Sequence, residues 1–190
     1  MGGLLGIALV LLALSYFYKP QPASAPATAS TPTSTTSAGA SVLGQMTKTI
    51  GCLEVNGLPD NACTPGDIDP RVTQENIRTT ICTSGYSASV RPPESVTNKI
   101  KKEELAAYGD PDTMSDNELD HLVSLELGGC PDCVANLWPE PYNIPMGAHE
   151  KDVVENYLHK QVCDGAMSLH AAQAAIATNW ESVYNSLPKN

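Results

Sequence analysis

Basic residues are scarce in this chain of 190 residues, which has 11 Lys and Arg against 21 Asp and Glu. All 21 acidic residues lie at or after Glu54, together with nine of the basic ones, so the chain from Glu54 onward carries a net charge of −12. Tight non-specific binding to nucleic acid relies on Lys and Arg that displace counterions from phosphates. The charge therefore argues against a protein that holds nucleic acid by electrostatics alone. It favours weak, metal-bridged or local contacts, or no nucleic acid at all.

Charged side chains are also absent before Lys19, and residues 4–14 form the most apolar stretch. Such a segment is typical of a signal peptide or a short membrane anchor, although the basic residues that usually open a signal peptide are missing. Ala23-Ser24-Ala25 has the small-residue spacing that a signal peptidase accepts. Residues 1–19 are thus predicted to be a signal peptide or an N-terminal membrane anchor, with the anchor slightly favoured. Both roles predict export, to a membrane-anchored extracytoplasmic or a secreted location.

Residues 20–41 consist almost wholly of Pro, Ala, Ser, Thr and Gly. A tract of this composition buries no core and behaves as a spacer. We therefore expect a disordered linker over residues 20–50 and one folded domain over residues 51–190.

The predicted domain contains six cysteines, which fits a disulfide framework in an oxidising compartment. We expect Cys63 and Cys82 to flank one small unit, with Cys52 and Cys163 left to pair. No second close pair accompanies Cys130 and Cys133, so a local disulfide is favoured for this CxxC over a zinc site or a redox centre.

Hydrophobic periodicity and end signals predict a domain of the α+β class. Short strands are expected at residues 86–90 and 119–127, the second followed by a turn at Gly128-Gly129. Helices are expected at residues 73–80, 98–107 and 147–163. A last helix should begin after Ser168 and bury an apolar stripe.

One group of residues carries a chemical pattern: Asp120-His121, the Gly128-Gly129 turn, and Asn136-Leu137. An acid can bind a divalent cation, His can take a proton from water near neutral pH, and Asn can fix a turn or an imidazole. Neighbouring residues on a strand point to opposite sides, so one of the first two can face a metal while the other faces water.

These residues, with a following helix, resemble the ββα-metal motif of the HNH endonuclease superfamily, and in particular an exported bacterial branch of it. The similarity covers roughly residues 62–184. It extends to these segments: Cys63-Thr-Pro-Gly66, Thr80-Ile-Cys82, Gly85-Tyr86, Val90-Arg-Pro92, Glu118-Leu-Asp-His-Leu122, Asn136-Leu-Trp-Pro-Glu140, Lys151-Asp152, Glu155-Asn156, Leu158-His159 and Val162-Cys163.

The resemblance implies a small ββα-metal core surrounded by helices and cross-linked by disulfides. It assigns His121 as general base, Asp120 as a metal ligand, and Asn136 as the residue that holds the loop or orients His121. The typical pattern has a further His or Asn ligand eight or nine residues after the Asn. Here Ile144 and Pro145 occupy those positions, and neither can bind a metal.

The missing ligand is expected on the predicted helix. His149 and Asp152 are the first candidates, and Glu155 and His159 come next. Asp152, Glu155 and His159 fall on one face at i, i+3 and i+7. The alternative is a solvent-exposed face with an i,i+4 pair between Glu155 and His159.

Four basic residues are candidate contacts to a phosphate-bearing substrate: Arg91, Lys99, Lys101 and Lys102. A solvent-exposed helix face for the lysines and an ion pair for Arg91 are the simpler alternatives. Trp138 is expected in the core or as a lid, with base stacking as the alternative.

The function predicted from these residues is a metal-dependent endonuclease that hydrolyses DNA or RNA outside the cytoplasm. Its cofactor is a divalent cation, with Mg²⁺ favoured over Mn²⁺ or Zn²⁺. Its partners are the nucleic acid substrate, the membrane if the N-terminal segment is retained, and an inhibitor protein that the sequence does not identify. The alternatives are a non-catalytic envelope binding module on the same scaffold and, less favoured, a thiol-redox protein that uses Cys130 and Cys133.

Overall fold

The computed structural model describes residues 43–109 and 114–188. Within these ranges, four α-helices accompany one antiparallel pair of strands, which confirms the α+β class. The elements are α1 (Tyr86–Val90), α2 (Glu94–Ala107), β1 (Asn117–His121), β2 (Leu137–Pro141), α3 (Ala148–Cys163) and α4 (Leu169–Ser186). Three short 3-10 turns lie at Ile77–Thr79, Leu125–Leu127 and Val134–Asn136.

The two strands pair so that Glu118 lies opposite Glu140 and Asp120 lies opposite Trp138. Side chains directly opposite each other in an antiparallel pair lie on the same face of the sheet. The alternation along β1 then puts Asp120 on the same face as Glu118 and Glu140. The sheet thus brings three carboxylates together before any helix contributes a residue.

Helices α3 and α4 pack together and supply half of the buried residues in the main core cluster. Their apolar stripes are fully or almost fully buried, and Trp138 from β2 joins them at 0 % exposure. Ser168 caps α4 through a hydrogen bond to the amide of Ala171 at 3.2 Å, as the sequence predicts. The expectation that Trp138 belongs to the core is confirmed, and its burial excludes it as a stacking platform.

The folded unit begins before residue 51. The backbone amides of Thr47 and Lys48 both donate to the carbonyl of Ala62, and Lys48 Nζ lies 2.8 Å from Asp60 Oδ2. Leu43 packs against the core. The last eight residues assigned to the linker are therefore attached to the domain.

The rest of that linker, and the predicted signal peptide or anchor at residues 1–19, lie outside the described residues. Among the helices that are described, none combines the length and the apolar character needed to cross a bilayer.

Residues 86–90 form helix α1, so the strand predicted there is wrong. Gly85 adopts φ +82°, a left-handed conformation that favours glycine, and its carbonyl accepts from the amide of Ser89 at 3.0 Å. The Ser89 hydroxyl donates to the carbonyl of Tyr86. These local bonds close one helical turn, and residues 86–90 lie in no sheet.

The six cysteines form the disulfides Cys52–Cys63, Cys82–Cys163 and Cys130–Cys133. The local bond between Cys130 and Cys133 agrees with the favoured prediction, but the expected pairing of Cys52 with Cys163 is wrong. Cys163 ends α3 and lies beside Cys82, which follows the turn at residues 77–79. Three disulfides are consistent with an extracellular location.

Candidate functional site

Asn136 is a buried link between three chain segments, with 0 % exposure. Its Oδ1 accepts from the amides of Val123 at 2.9 Å and Asp67 at 3.2 Å. Its Nδ2 donates to the carbonyls of Val123 at 3.0 Å and Cys130 at 3.1 Å. Both N–H donors and both acceptor lone pairs of the side-chain amide are therefore bonded to backbone groups. Asn136 holds the loop between β1 and β2, and its side-chain hydrogen bonds are to the backbone rather than to the His121 ring.

The same loop needs a glycine at position 129. A Cβ atom there would lie 1.7 Å from the carbonyl oxygen of Val123 and 2.9 Å from Asn136 Nδ2. Any side chain would push apart the segment that Asn136 ties together. The Gly-Gly signal in the sequence is thus explained by a close backbone approach.

His121 ends β1 and is 4 % exposed. Its Nε2 lies 2.9 Å from the carbonyl oxygen of Pro131, which sits inside the loop closed by the Cys130–Cys133 disulfide. A carbonyl oxygen can only accept, so Nε2 carries the proton, and Nδ1 of the neutral ring keeps its lone pair. Burial lowers the pKa of His121, against the opposing effect of the Asp120 charge. The ring is held in one tautomer with a basic nitrogen left over.

His121 lines a cleft of about 280 Å³ between β1 and the start of α2. Arg91, Lys101, Glu118 and Tyr142 also border this cleft. Arg91 is exposed, whereas Lys101 Nζ donates to the carbonyls of Met114 at 2.7 Å and Asn117 at 2.6 Å. Of the four predicted basic contacts, Arg91 thus lies at the cleft with a side chain available to a ligand.

The other two lysines do not form this cleft in the described structure. Lys99 is exposed and lies 3.9 Å from Glu103, and Lys102 is exposed on the same helix. Both fit the simpler expectation of a solvent-exposed helix face.

Lys151 is the main residue that the sequence did not reveal. Its side chain is 1 % exposed, and its Nζ lies 2.5 Å from Asp120 Oδ2 and 3.0 Å from the carbonyl oxygen of His121. It also forms an ion pair with Glu155. Burial disfavours its charge, but the charges of Asp120 and Glu155 outweigh that effect and raise the pKa of Lys151 well above its usual value. A permanent cation therefore already neutralises part of the acidic face of the sheet.

Three carboxylates meet beside this ammonium group. Glu118, Asp120 and Glu140 each offer an oxygen, and these oxygens lie within 4.8 Å of one another. Glu140 is 1 % exposed, and neither of its oxygens has a hydrogen-bond donor among the described residues. Burial, then the charge of Asp120, raises the pKa of Glu118 to about 7. The same two causes raise the pKa of Glu140 well above its normal range.

The helix residues expected to complete a metal site lie elsewhere, or are already paired. His149 is exposed, with its ring 6.4 Å from that of Tyr142, and Asp152 is exposed. Glu155 is paired with Lys151. His159 Nε2 lies 2.9 Å from the carbonyl of Ile81, and its Nδ1 lies 3.5 Å from Glu126. The acids that form a possible metal-binding group with Asp120 come from the strands.

Two other clusters contain metal-ligand residue types. His159 lies near Cys82 and Cys163, and Asp67 lies near Cys130 and Cys133. In both clusters the cysteines are joined to each other, so no thiolate is available to bind a metal. The carboxylate trio is the better candidate for a cation.

Period-two alternation along β1 would have placed Glu118 on the face of Asp120. Glu140 joins them only through the register of β2, which the sequence does not reveal. The i,i+4 spacing of Lys151 and Glu155 was visible too, but nothing local indicates that Lys151 reaches Asp120. Comparisons with protein-family models, curated proteins and solved structures find no match to this chain.

Proposed function

We propose that the domain is a metal-dependent endonuclease with a ββα-metal core, in which His121 is the general base. The observation that carries this proposal is the hydrogen bond between His121 Nε2 and the Pro131 carbonyl. It fixes the tautomer that leaves Nδ1 free to accept a proton, and it does so at a cleft that can admit a phosphodiester. General-base catalysis requires this combination of a fixed ring and a free nitrogen.

The surrounding residues have supporting roles in this proposal. Asn136 fixes the loop that carries the Pro131 carbonyl, so it acts as a positioning residue. Arg91 is placed to bind a phosphate oxygen at the mouth of the cleft, where a guanidinium can form two parallel hydrogen bonds. The order of elements, β1 and β2 followed by α3, supports assigning the core to the ββα-metal type.

The chain offers oxygen ligands for a divalent cation at Glu118, Asp120 and Glu140. When bound, such a cation would polarise the phosphate and stabilise the leaving oxygen. Carboxylates suit Mg²⁺ or Mn²⁺ better than Zn²⁺, since zinc sites in proteins are built mainly from His and Cys. The fit of the residues supports the cofactor, and Lys151 would remain as the counter-charge for Asp120 and Glu155.

The setting of this activity is proposed to be outside the cytoplasm, either secreted or held at a membrane by residues 1–19. The three disulfides support that setting, because such bonds persist in oxidising compartments. The net charge of −12 from Glu54 onward fits an enzyme that binds nucleic acid locally and briefly rather than one that coats it.

A cleavage assay tests the proposal. The full-length chain with its disulfides formed is incubated with supercoiled plasmid and with single-stranded RNA, in Mg²⁺, in Mn²⁺ and in chelator. We expect cleavage in one or both metals and none in chelator. Cleavage that persists in chelator would contradict the metal requirement. A protein that is inactive under every condition would not be a nuclease.

A non-catalytic binding module is the second candidate. One observation favours it: Asp120 is already paired with the buried ammonium of Lys151 at 2.5 Å. If all arms of the cleavage assay are inactive, this reading is preferred. The thiol-redox alternative predicts that the chain reduces insulin disulfides, and that replacing Cys130 and Cys133 with Ser abolishes the reaction.

A further inference from the structure

The buried face of the sheet carries more acceptors than the chain satisfies. Four carboxylates, from Glu118, Asp120, Glu140 and Glu155, share one ammonium group, that of Lys151. Lys151 donates a hydrogen bond to Glu155 and forms an ion pair with Asp120. Among the described residues, neither oxygen of Glu140 has a hydrogen-bond donor. A buried carboxylate without donors is costly, so such a group normally either keeps a proton or binds a partner.

We propose that Glu118, Asp120 and Glu140 form a divalent-cation site specific for oxygen-preferring ions of the Mg²⁺ and Mn²⁺ type. Glu140 is the inner ligand, since it is 1 % exposed and its oxygens are directed into the group. Glu118 is the outer ligand, since it also borders the cleft that contains His121. Asp120 shares its carboxylate between the site and Lys151.

The register of the sheet builds this site. Glu118 and Glu140 are direct cross-strand partners, and Asp120 is two residues from Glu118 on the same strand. Their carboxylate oxygens lie within 4.8 Å of one another, a separation that one cation with ligand distances of about 2.0–2.6 Å can bridge. No His or Cys belongs to this trio, so the donor set selects hard cations.

The site differs from the one expected from the sequence. The resemblance placed the additional ligand on the helix, at His149, Asp152, Glu155 or His159. Here α3 supplies Lys151, a cation of its own, and the ligands come from the two strands. The inference rests on the same site as the proposed nuclease, but it is tested by cation binding alone.

The experiment measures Mn²⁺ binding to the full-length, oxidised chain, by the loss of the free-ion electron paramagnetic resonance signal, and Mg²⁺ by competition. We expect saturable binding of one Mn²⁺ that Mg²⁺ displaces. Wild-type protein that leaves the Mn²⁺ signal unchanged overturns the assignment, with a shared proton then the occupant of the carboxylate group. This first measurement does not depend on any variant folding.

Two substitutions locate the ion. Glu140→Gln keeps the shape of the side chain and removes its charge, and we expect it to weaken Mn²⁺ binding by about 100-fold. Glu118→Gln is expected to weaken it by about 10-fold or more. The matched control is Asp152→Asn, which removes an exposed charge that acts on Glu118 without being a ligand, and it should leave affinity within about 2-fold. Equal weakening by all three would mean a diffuse acidic surface and would contradict a built site.

The outcomes separate this inference from the proposed function. If the protein binds Mn²⁺, loses this binding in Glu140→Gln and cleaves no nucleic acid, the cation site is supported and the proposed nuclease function is rejected. If Glu140→Gln still shows metal-dependent cleavage at the wild-type rate, the nuclease function is supported and the proposed cation site is rejected.

Discussion

At the residue scale, the proposed function depends on which nitrogen of His121 carries the proton. The bond from Nε2 to the Pro131 carbonyl decides that Nδ1 is the basic nitrogen. The residue type at position 136 was enough to predict an Asn that holds the loop, and the roles of Asp120 as a metal ligand and His121 as a base stay predictions. The partner of Asp120 was not predictable, because Lys151 is 30 residues from His121 and meets it only through the packing of α3 on the sheet.

Asn136 is expected to contribute stability as well as position. Asn136→Ala leaves two buried backbone amides and two carbonyls without their partner, and each such loss is costly. We expect the free energy of unfolding to fall by about 3 kcal/mol, measured by urea denaturation. Asn156→Ala is the control, since that exposed side chain makes one bond, to the carbonyl of Asp152, and should cost less than about 0.5 kcal/mol. Equal losses in the two variants would mean that Asn136 does not hold the loop.

At the element scale, only the longer helices were predictable. The helix expected at residues 73–80 is reduced to a 3-10 turn at Ile77–Thr79, and residues 86–90, expected as a strand, form α1. Helices α3 and α4 have long apolar stripes with clear ends, and the structure agrees with both. The strand expected at residues 119–127 ends at His121, because the chain then turns to meet Asn136 and forms a 3-10 turn at Leu125–Leu127. The 3-10 turn contacts α3 and α4, and the Gln173 side chain of α4 donates to the Leu127 carbonyl at 2.9 Å. A local pattern contains none of these contacts.

Helix α2 carries a buried carboxyl that should make stability depend on pH. Burial, with the adjacent Glu103 charge, raises the pKa of Glu104 from 4.5 to about 7. In the folded state this carboxyl keeps its proton up to about pH 7, whereas in the unfolded chain it ionises near 4.5, so unfolding releases a proton between these values. The contribution of Glu104 to the free energy of unfolding therefore falls as pH rises through this window.

Glu104→Gln cannot ionise and should remove that contribution. We expect the free energy of unfolding of the variant, minus that of wild type, to be larger above pH 7 than below pH 4.5. Urea denaturation at the two pH values measures this difference. Glu103→Gln, at an exposed neighbouring carboxylate, should show a much smaller change between the two conditions. If the difference in stability between Glu104→Gln and wild type is the same at both pH values, the Glu104 carboxyl is solvated in the folded protein.

The loop closed by Cys130–Cys133 is expected to act on His121. Replacing both cysteines with Ser removes a disulfide between residues that are three positions apart. By the chain-entropy relation, this lowers the free energy of unfolding by about 2 kcal/mol. Because the Pro131 carbonyl lies in that loop, we also expect kcat to fall while KM changes little, and the NMR shifts of the His121 ring to change. A variant with the wild-type ring signals would separate the disulfide from the positioning of His121.

At the scale of the whole molecule, a disulfide joins segments that are distant in the sequence. Cys82–Cys163 joins the segment after residues 77–79 to the end of α3 across 81 residues, and this pairing was not predictable because six cysteines allow 15 pairings. The fold brings these ends together through the packing of α3, which the order of cysteines along the chain does not encode.

The three disulfides should therefore differ in their contribution to stability. Replacing Cys82 and Cys163 with Ser is expected to lower the free energy of unfolding by about 4.5 kcal/mol, because this bond closes the longest loop. The corresponding Cys52 and Cys63 variant, with a separation of 11 residues, should lose about 3 kcal/mol. Chemical denaturation of the two double variants measures both values, and a reversed order would contradict the loop-length argument.

The central claim is that His121 is the base of a metal-dependent nuclease, and one comparison tests it most directly. The rate of plasmid cleavage in Mg²⁺ is measured for wild type, His121→Ala, and His170→Ala, whose imidazole is exposed on α4. We expect His121→Ala to lose about 10²–10⁴-fold in rate while His170→Ala stays near wild type, since a general base contributes an effect of that size. A His121→Ala protein that is folded and cleaves at the wild-type rate would contradict the claim.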